Sequence, residues 1–222
     1  MYVPNHFRIP DDELARILSV ARGGNLVTVH PDGPRATYIP VHLEERDGQQ
    51  VVVTHLVRNN PSARDIIADG LVIIDVADAY VSPAWYATNE QLPNVPTWDY
   101  ITVHLTGKVT VDTSPEGALR AARVLTERMG EEWCLELVGE EKLAKMARAI
   151  VGVELVVERV EAKAKMSQNR HPDDVASLLA HFDEHGPGEL ADYLRDVSLP
   201  YARSRFESIE RTRARELRAF GK

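Results

Sequence analysis

The sequence predicts an α+β protein built around an antiparallel β-barrel with peripheral helices. Three observations predict it: six or so short β-like runs separated by turn residues, helical patterns inserted before the last of them, and a strand pattern that returns late in the chain. Closing such strands into a barrel removes the exposed edges that an antiparallel sheet otherwise carries. A length of 222 residues suits one domain with a helical appendage, and buries a core without covalent staples.

The elements follow in chain order. Asp11 and Asp12 open a helical pattern with apolar Leu14, Ile17, Leu18 and Ala21, and Gly23-Gly24 closes it. Residues 25–30, 36–43 and 50–56 read as strands. Pro31-Asp32-Gly33-Pro34 and Arg46-Asp47-Gly48 supply the turns of an antiparallel meander. Asn60-Pro61 breaks the pattern, and residues 62–68 read as a short helix with Ser62 as its cap. Residues 71–76 form a continuous apolar run, as expected of a strand buried on both faces. Strands at 79–82 and 101–111 flank an irregular stretch, 83–100. Helices are expected from Pro115 to about Met129 and over 140–150, then a long closing strand over 153–165. Residues 172–182, 189–195 and 200–220 are helical by pattern. Gly186-Pro187-Gly188 is the best linker, dividing a barrel domain, 1–185, from a helical C-terminal extension, 186–222.

A hydrophobic fraction of 44% and a charged fraction of 27% exclude a disordered chain. The net charge of −8 argues against a protein that coats nucleic acid, which needs a clustered basic surface. One cysteine, Cys134, makes neither an intrachain disulfide nor a zinc cluster, and suits a reducing compartment. The N-terminal MYVPNHFRIP has no apolar signal-peptide region, and no apolar run is long enough to span a bilayer. The expected location is the cytoplasm.

Four windows could carry chemistry. His55 ends an apolar strand and precedes an Arg58-Asn59-Asn60-Pro61 loop. An imidazole there could ligate iron, act as a base or donate a hydrogen bond, or it could simply be satisfied by a backbone carbonyl. Tyr80, Ser82, Trp85 and Tyr86, with Trp98, Asp99 and Tyr100, pair aromatic faces with polar groups. That suits a flat conjugated ligand or an aromatic plug at a barrel end. Lys163, Lys165 and Ser167 fall on one strand face by the period of two, and Gln168, Asn169 and Arg170 follow. These residues could bind phosphate or propionate through charge-assisted hydrogen bonds, or be a solvated strand end. The tail carries Arg203, Arg205, Arg211, Arg213, Arg215 and Arg218 among Glu207, Glu210 and Glu216, with Phe206, Ile209, Leu217 and Phe220 as an apolar stripe. Interspersed glutamates favour packing on the chain itself or on a partner over DNA. No dinucleotide, Walker, nucleophile-elbow or His-Glu-x-x-His motif is present.

Together these windows resemble one family, the PaiB-like proteins labelled FMN-binding negative transcriptional regulators. The resemblance runs through Met1-Tyr2-Val3-Pro4, Ala36-Thr37-Tyr38-Ile39-Pro40 and His55-Leu56-Val57-Arg58-Asn59-Asn60-Pro61. It continues through Ala79-Tyr80-Val81-Ser82-Pro83, Val95-Pro96-Thr97-Trp98, Ile150-Val151-Gly152 and Ser167-Gln168-Asn169-Arg170, and covers residues 1 to about 185. It implies a split barrel of the flavin-reductase type, related to the pyridoxamine-phosphate oxidases, and generally a homodimer with cofactor pockets between subunits. The same family contains a haem-dependent branch, the piperazate synthases, which form a nitrogen–nitrogen bond on an N-hydroxylated diamino acid. His55 matches that branch's iron-ligating histidine.

The resemblance therefore implies two classes of function. In the first, a haem b enzyme, His55 is the metal ligand. Arg58, Asn59, Lys163, Lys165, Ser167, Gln168 and Arg170 hold the cofactor, and Tyr80, Ser82, Trp98, Asp99 and Tyr100 face the substrate. In the second, the chain is an FMN-binding regulator. Departures from the family pattern at Thr54, Asp99, Ala162 and Ala164 point to a pocket adapted to another ligand.

Overall fold

The computed structural model describes residues 1–91, 93–128 and 135–220. Cys134, the expected helix end at Met129 and the side chain of Phe220 lie outside the described residues. Seven strands, β1 (Gly23–His30), β2 (Gly33–Pro40), β3 (His42–Arg46), β4 (Gln49–Val57), β5 (Gly70–Val81), β6 (Thr97–Asp112) and β7 (Ile150–Lys165), form one sheet in the order β2-β1-β5-β6-β7-β4-β3. The helices are α1 (Asp11–Val20), α2 (Pro115–Arg128), α3 (Glu140–Ala147), α4 (Pro172–His185), α5 (Gly188–Tyr193) and α6 (Leu199–Phe220). This is the antiparallel split barrel with peripheral helices and a C-terminal helix. The chain divides into two compact units, and β5, β6 and β7 contribute residues to both.

The first unit holds Pro10–Ile74 and Val103–Glu161 with Met1. Its hairpins are set by turn chemistry. Asp47 and Gly48 take positive φ of 51° and 77°, the requirement of a two-residue type I′ turn, and this joins β3 to β4 with Arg46 opposite Gln49. β4 then pairs with β7 from Val51↔Val156 to Val57↔Ile150, which sets His55 opposite Gly152. Alternate residues of β4 serve different faces. Val52, Thr54 and Leu56 are buried on one side, while Val51 and Val53 pack with Ala121, Val124 and Val156 under α2. Gly152 permits that packing: a Cβ there would sit 2.8 Å from the Gly117 carbonyl oxygen in the first turn of α2.

The second unit holds Tyr2–Ile9, Asp75–Thr102 and Ala162–Lys222. Its core comes from Val175, Leu178 and Phe182 of α4, Leu190, Ala191 and Tyr193 of α5, and Leu199 and Ala202 of α6. Asp174 fixes the loop after β5 by accepting from Thr88 N at 2.8 Å and Thr88 Oγ1 at 3.0 Å.

Five sequence expectations change. Gly23-Gly24 opens β1 instead of capping α1, because a Cβ at Gly24 would sit 2.6 Å from the Ile73 carbonyl of the neighbouring strand. The 36–43 run breaks at Pro40, and Val41 N turns away to Arg22 O. The expected helix at 62–68 shrinks to one 3-10 turn, Pro61–Ala63. There Asn60, not Ser62, is the cap, its Oδ1 accepting from Ser62 N at 2.9 Å. Residues 71–76 and 79–82 are one strand, β5, which buries Val72 and Ile74 and leaves Leu71 and Ile73 half-exposed, so only one face is fully buried. Ile150 opens β7 and does not end α3.

Candidate functional site

In the second unit, β5 and β6 alternate with a period of two, so Asp78 and Tyr80 share one side and Trp98 and Tyr100 another register of the same exposed surface. Tyr80 is 46% exposed and Trp98 51%, with their rings edge to face at 6.3 Å. Trp85 meets Tyr80 the same way at 6.1 Å. The Trp98 indole Nε1 donates to Asp78 Oδ1 at 2.7 Å, which fixes the ring on an open face. Lys163 Nζ lies 5.3 Å from the centre of the Tyr100 ring and has no carboxylate at ion-pair distance among the described residues. An aromatic surface beside an unpaired ammonium is thus built from Tyr80, Trp98, Tyr100 and Lys163.

The rest of the 163–170 segment is spent on the fold. Lys165 Nζ donates to Thr97 Oγ1 at 2.6 Å, Trp98 O at 2.7 Å and Asp99 Oδ1 at 3.4 Å, which uses all three ammonium hydrogens. Ser167 Oγ donates to Asp99 Oδ2 at 2.7 Å. Gln168, 2% exposed, accepts from Met166 N and donates to Ala164 O, both at 2.8 Å. Arg170 donates to Asn94 Oδ1 and lies 4.8 Å from the Tyr86 ring centre. Burial is the largest influence on Asp99 and raises its carboxyl above the usual range, against the lowering effect of Ser167 and Lys165. Ser82 caps the turn Pro83–Trp85 by accepting from Ala84 N. Lys165, Ser167, Gln168 and Ser82, expected to face a ligand, therefore have their polar groups engaged within the chain. Buried Asp99 does not face a substrate on the exposed side.

His55 lies in the first unit, half-buried, with Nδ1 buried and without a hydrogen-bond partner among the described residues. Burial lowers its pKa and so favours the neutral ring. Arg58, expected to hold the cofactor, donates to three backbone carbonyls: Arg148 O at 2.6 Å, Thr113 O at 3.1 Å and Ile150 O at 3.0 Å. Asn59 Oδ1 accepts from Arg64. The motif after β4 is a clasp that holds the end of its strand. Sequence reading missed Asp78 and Thr97. Asp78 could have been found from its two-residue spacing to Tyr80, and Thr97 from its place in the Val95-Pro96-Thr97-Trp98 motif.

No helix of the described residues is long and apolar enough to cross a membrane, and no group of three or more His, Cys, Asp or Glu side chains is placed to hold a metal among them.

A family model described as "Putative FMN-binding domain" matches residues 1–159. The chain is 28% identical over 205 residues to the Protease synthase and sporulation protein PAI 2 of Bacillus subtilis, covering 88% of this chain and 97% of that protein. Among solved structures it is similar to the flavocytochrome Anf3 from Azotobacter vinelandii, with TM-score 0.55, 16% identity and coverage of 74% of this chain and 72% of that one. It is also similar to the conserved hypothetical protein Rv2991 from Mycobacterium tuberculosis, with TM-score 0.53, 18% identity and coverage of 74% and 90%. At these identities the structural likeness speaks to the fold alone.

Proposed function

The chain belongs to the FMN-binding domain family, the PaiB-like family its motifs resemble, and from that premise we propose that it binds FMN on the exposed aromatic face of the second unit. One observation carries this reading: Tyr80, Trp98 and Tyr100 present rings beside Lys163, an ammonium without a carboxylate partner among the described residues. Flat rings offer faces to a conjugated ligand, and an unpaired cation favours its anionic phosphate. Trp98 and Tyr80 would hold the ring system, and Lys163 its negative charge. FMN, when bound, supplies the redox chemistry for a small-molecule substrate. The protein's own groups orient the ring and limit solvent on one side. The working assembly in this reading is a cytoplasmic homodimer.

The test is spectroscopic. The purified protein, mixed with FMN and freed of excess, is expected to keep flavin absorption in the blue and to quench flavin emission. Loss of all flavin on gel filtration at micromolar concentration would contradict the reading.

His55 favours a second reading, haem b. A neutral imidazole whose buried Nδ1 has no hydrogen-bond partner among the described residues fits an iron ligand. In this reading haem would supply Lewis-acid chemistry for forming an N–N bond on an N-hydroxylated amine, with the N–O bond breaking and the hydroxyl leaving as water, and His55 is the residue that would hold the iron. A Soret band after haemin addition, together with no flavin retention, would favour it over FMN.

A further inference from the structure

We infer that Lys165 is the positioning residue of the aromatic face and does not itself contact the ligand. This deepens the FMN reading, because it concerns how that face is held. Lys165 is the last residue of β7, and its ammonium reaches three consecutive residues at the start of β6: the Thr97 hydroxyl at 2.6 Å, the Trp98 carbonyl at 2.7 Å and the Asp99 carboxylate at 3.4 Å. An ammonium has three hydrogens, and each of these acceptors takes one. No donor is left for a phosphate.

The other end of the strut is equally fixed. Asp99 is 0% exposed, and its second oxygen accepts from Ser167 at 2.7 Å. Ser167 adopts φ 58°, a left-handed backbone that a serine takes at a cost and that turns the chain back on itself directly after β7. A line of contacts thus runs from Ser167 through Asp99 and Lys165 to the Trp98 backbone. Asp78 holds the indole of the same residue at 2.7 Å. Trp98 is pinned at both ends, by Lys165 at its carbonyl and by Asp78 at its ring. The Asp99 carboxylate gives the strut a charged anchor that a neutral amide would not supply.

The experiment compares the full chain with Lys165→Met, Lys165→Arg, Asp99→Asn and the double variant Asp99→Asn with Lys165→Met. The double variant leaves no buried charge unpaired and guards against misfolding. Trp98→Phe identifies the Trp98 share of the near-ultraviolet circular dichroism. Two quantities are read: that Trp98 signal in the protein without FMN, and the Kd for FMN. The double variant is expected to flatten the Trp98 signal and raise the Kd tenfold or more, with far-ultraviolet dichroism unchanged. Lys165→Arg is expected to restore part of both, and Asp99→Asn alone to fall between parent and double variant. A raised Kd with the Trp98 signal intact would overturn the inference by making Lys165 a direct ligand. A flattened signal with an unchanged Kd would overturn it by making the strut irrelevant to binding. Should the parent bind no FMN, the FMN reading falls, and the Trp98 signal alone still decides whether Lys165 positions the ring.

Discussion

At the scale of single residues, similar side chains have opposite fates. Lys163 and Lys165 lie two apart on one strand, yet one ammonium lies over an aromatic ring with no carboxylate partner among the described residues and the other is saturated by Thr97, Trp98 and Asp99. The strand period in the sequence shows that they share a face. It does not show which residues lie across from them: Tyr100 for Lys163 and, 66 to 68 positions earlier, Thr97, Trp98 and Asp99 for Lys165. His55 was legible as a histidine near a strand end, and the structure adds that its Nδ1 is buried without a partner among the described residues. If the haem reading holds, His55→Ala is expected to lose the histidine-ligated Soret band after haemin addition. An identical band in parent and variant would remove His55 as a ligand.

At the scale of elements, local turn chemistry was legible and packing partners were not. The Asp47-Gly48 hairpin was readable because positive φ demands such residues. The cap at Asn60 was not, because Pro61 and Ser62 offer an equally good local start. The ion-pair group that ties β3, β7 and α2 depends on register. Arg46 donates to both oxygens of Glu154 at 2.9 Å, and Arg120 bridges Glu154 and Glu44. The Arg46 hydrogen bonds are the largest influence holding the Glu154 carboxyl below its ordinary value of 4.5. A carboxyl whose folded pKa is depressed contributes stability that is present above its unfolded pKa and is lost as pH falls through the folded one. Glu154→Gln is therefore expected to be less stable than the parent at pH 7, with the gap closing as pH falls below 4.5. Denaturant midpoints at neutral and acid pH would show it, and a gap that is constant with pH would contradict it.

The last helix separates into two parts. Leu199 and Ala202 are buried, Phe206 and Ile209 are half-buried with Phe206 edge-on to His171, and every residue from Glu210 to Arg218 is exposed. Leu217, expected in the apolar stripe, is 76% exposed. Phe206→Ser is expected to cost about 1–2 kcal/mol, in line with partial burial of a large apolar side chain, and Leu217→Ser to change the melting temperature little. Comparable losses in both variants would show a second contact along the end of α6.

At the scale of the whole molecule, the order of helices and strands was legible from pattern, and the family from motifs spread along the chain. Two units, each with its own core, were not, because their members come from separate stretches of sequence. The central claim is that this fold binds FMN through the exposed aromatic and lysine face of the second unit. Fluorescence titration of FMN against the parent, Trp98→Ala and Lys163→Met tests it most directly. The expected result is saturable quenching with the parent, a Kd at least tenfold higher for each variant, and a steeper salt dependence for the parent than for Lys163→Met. Parent-like affinity in both variants, or no saturable quenching by the parent, would contradict it.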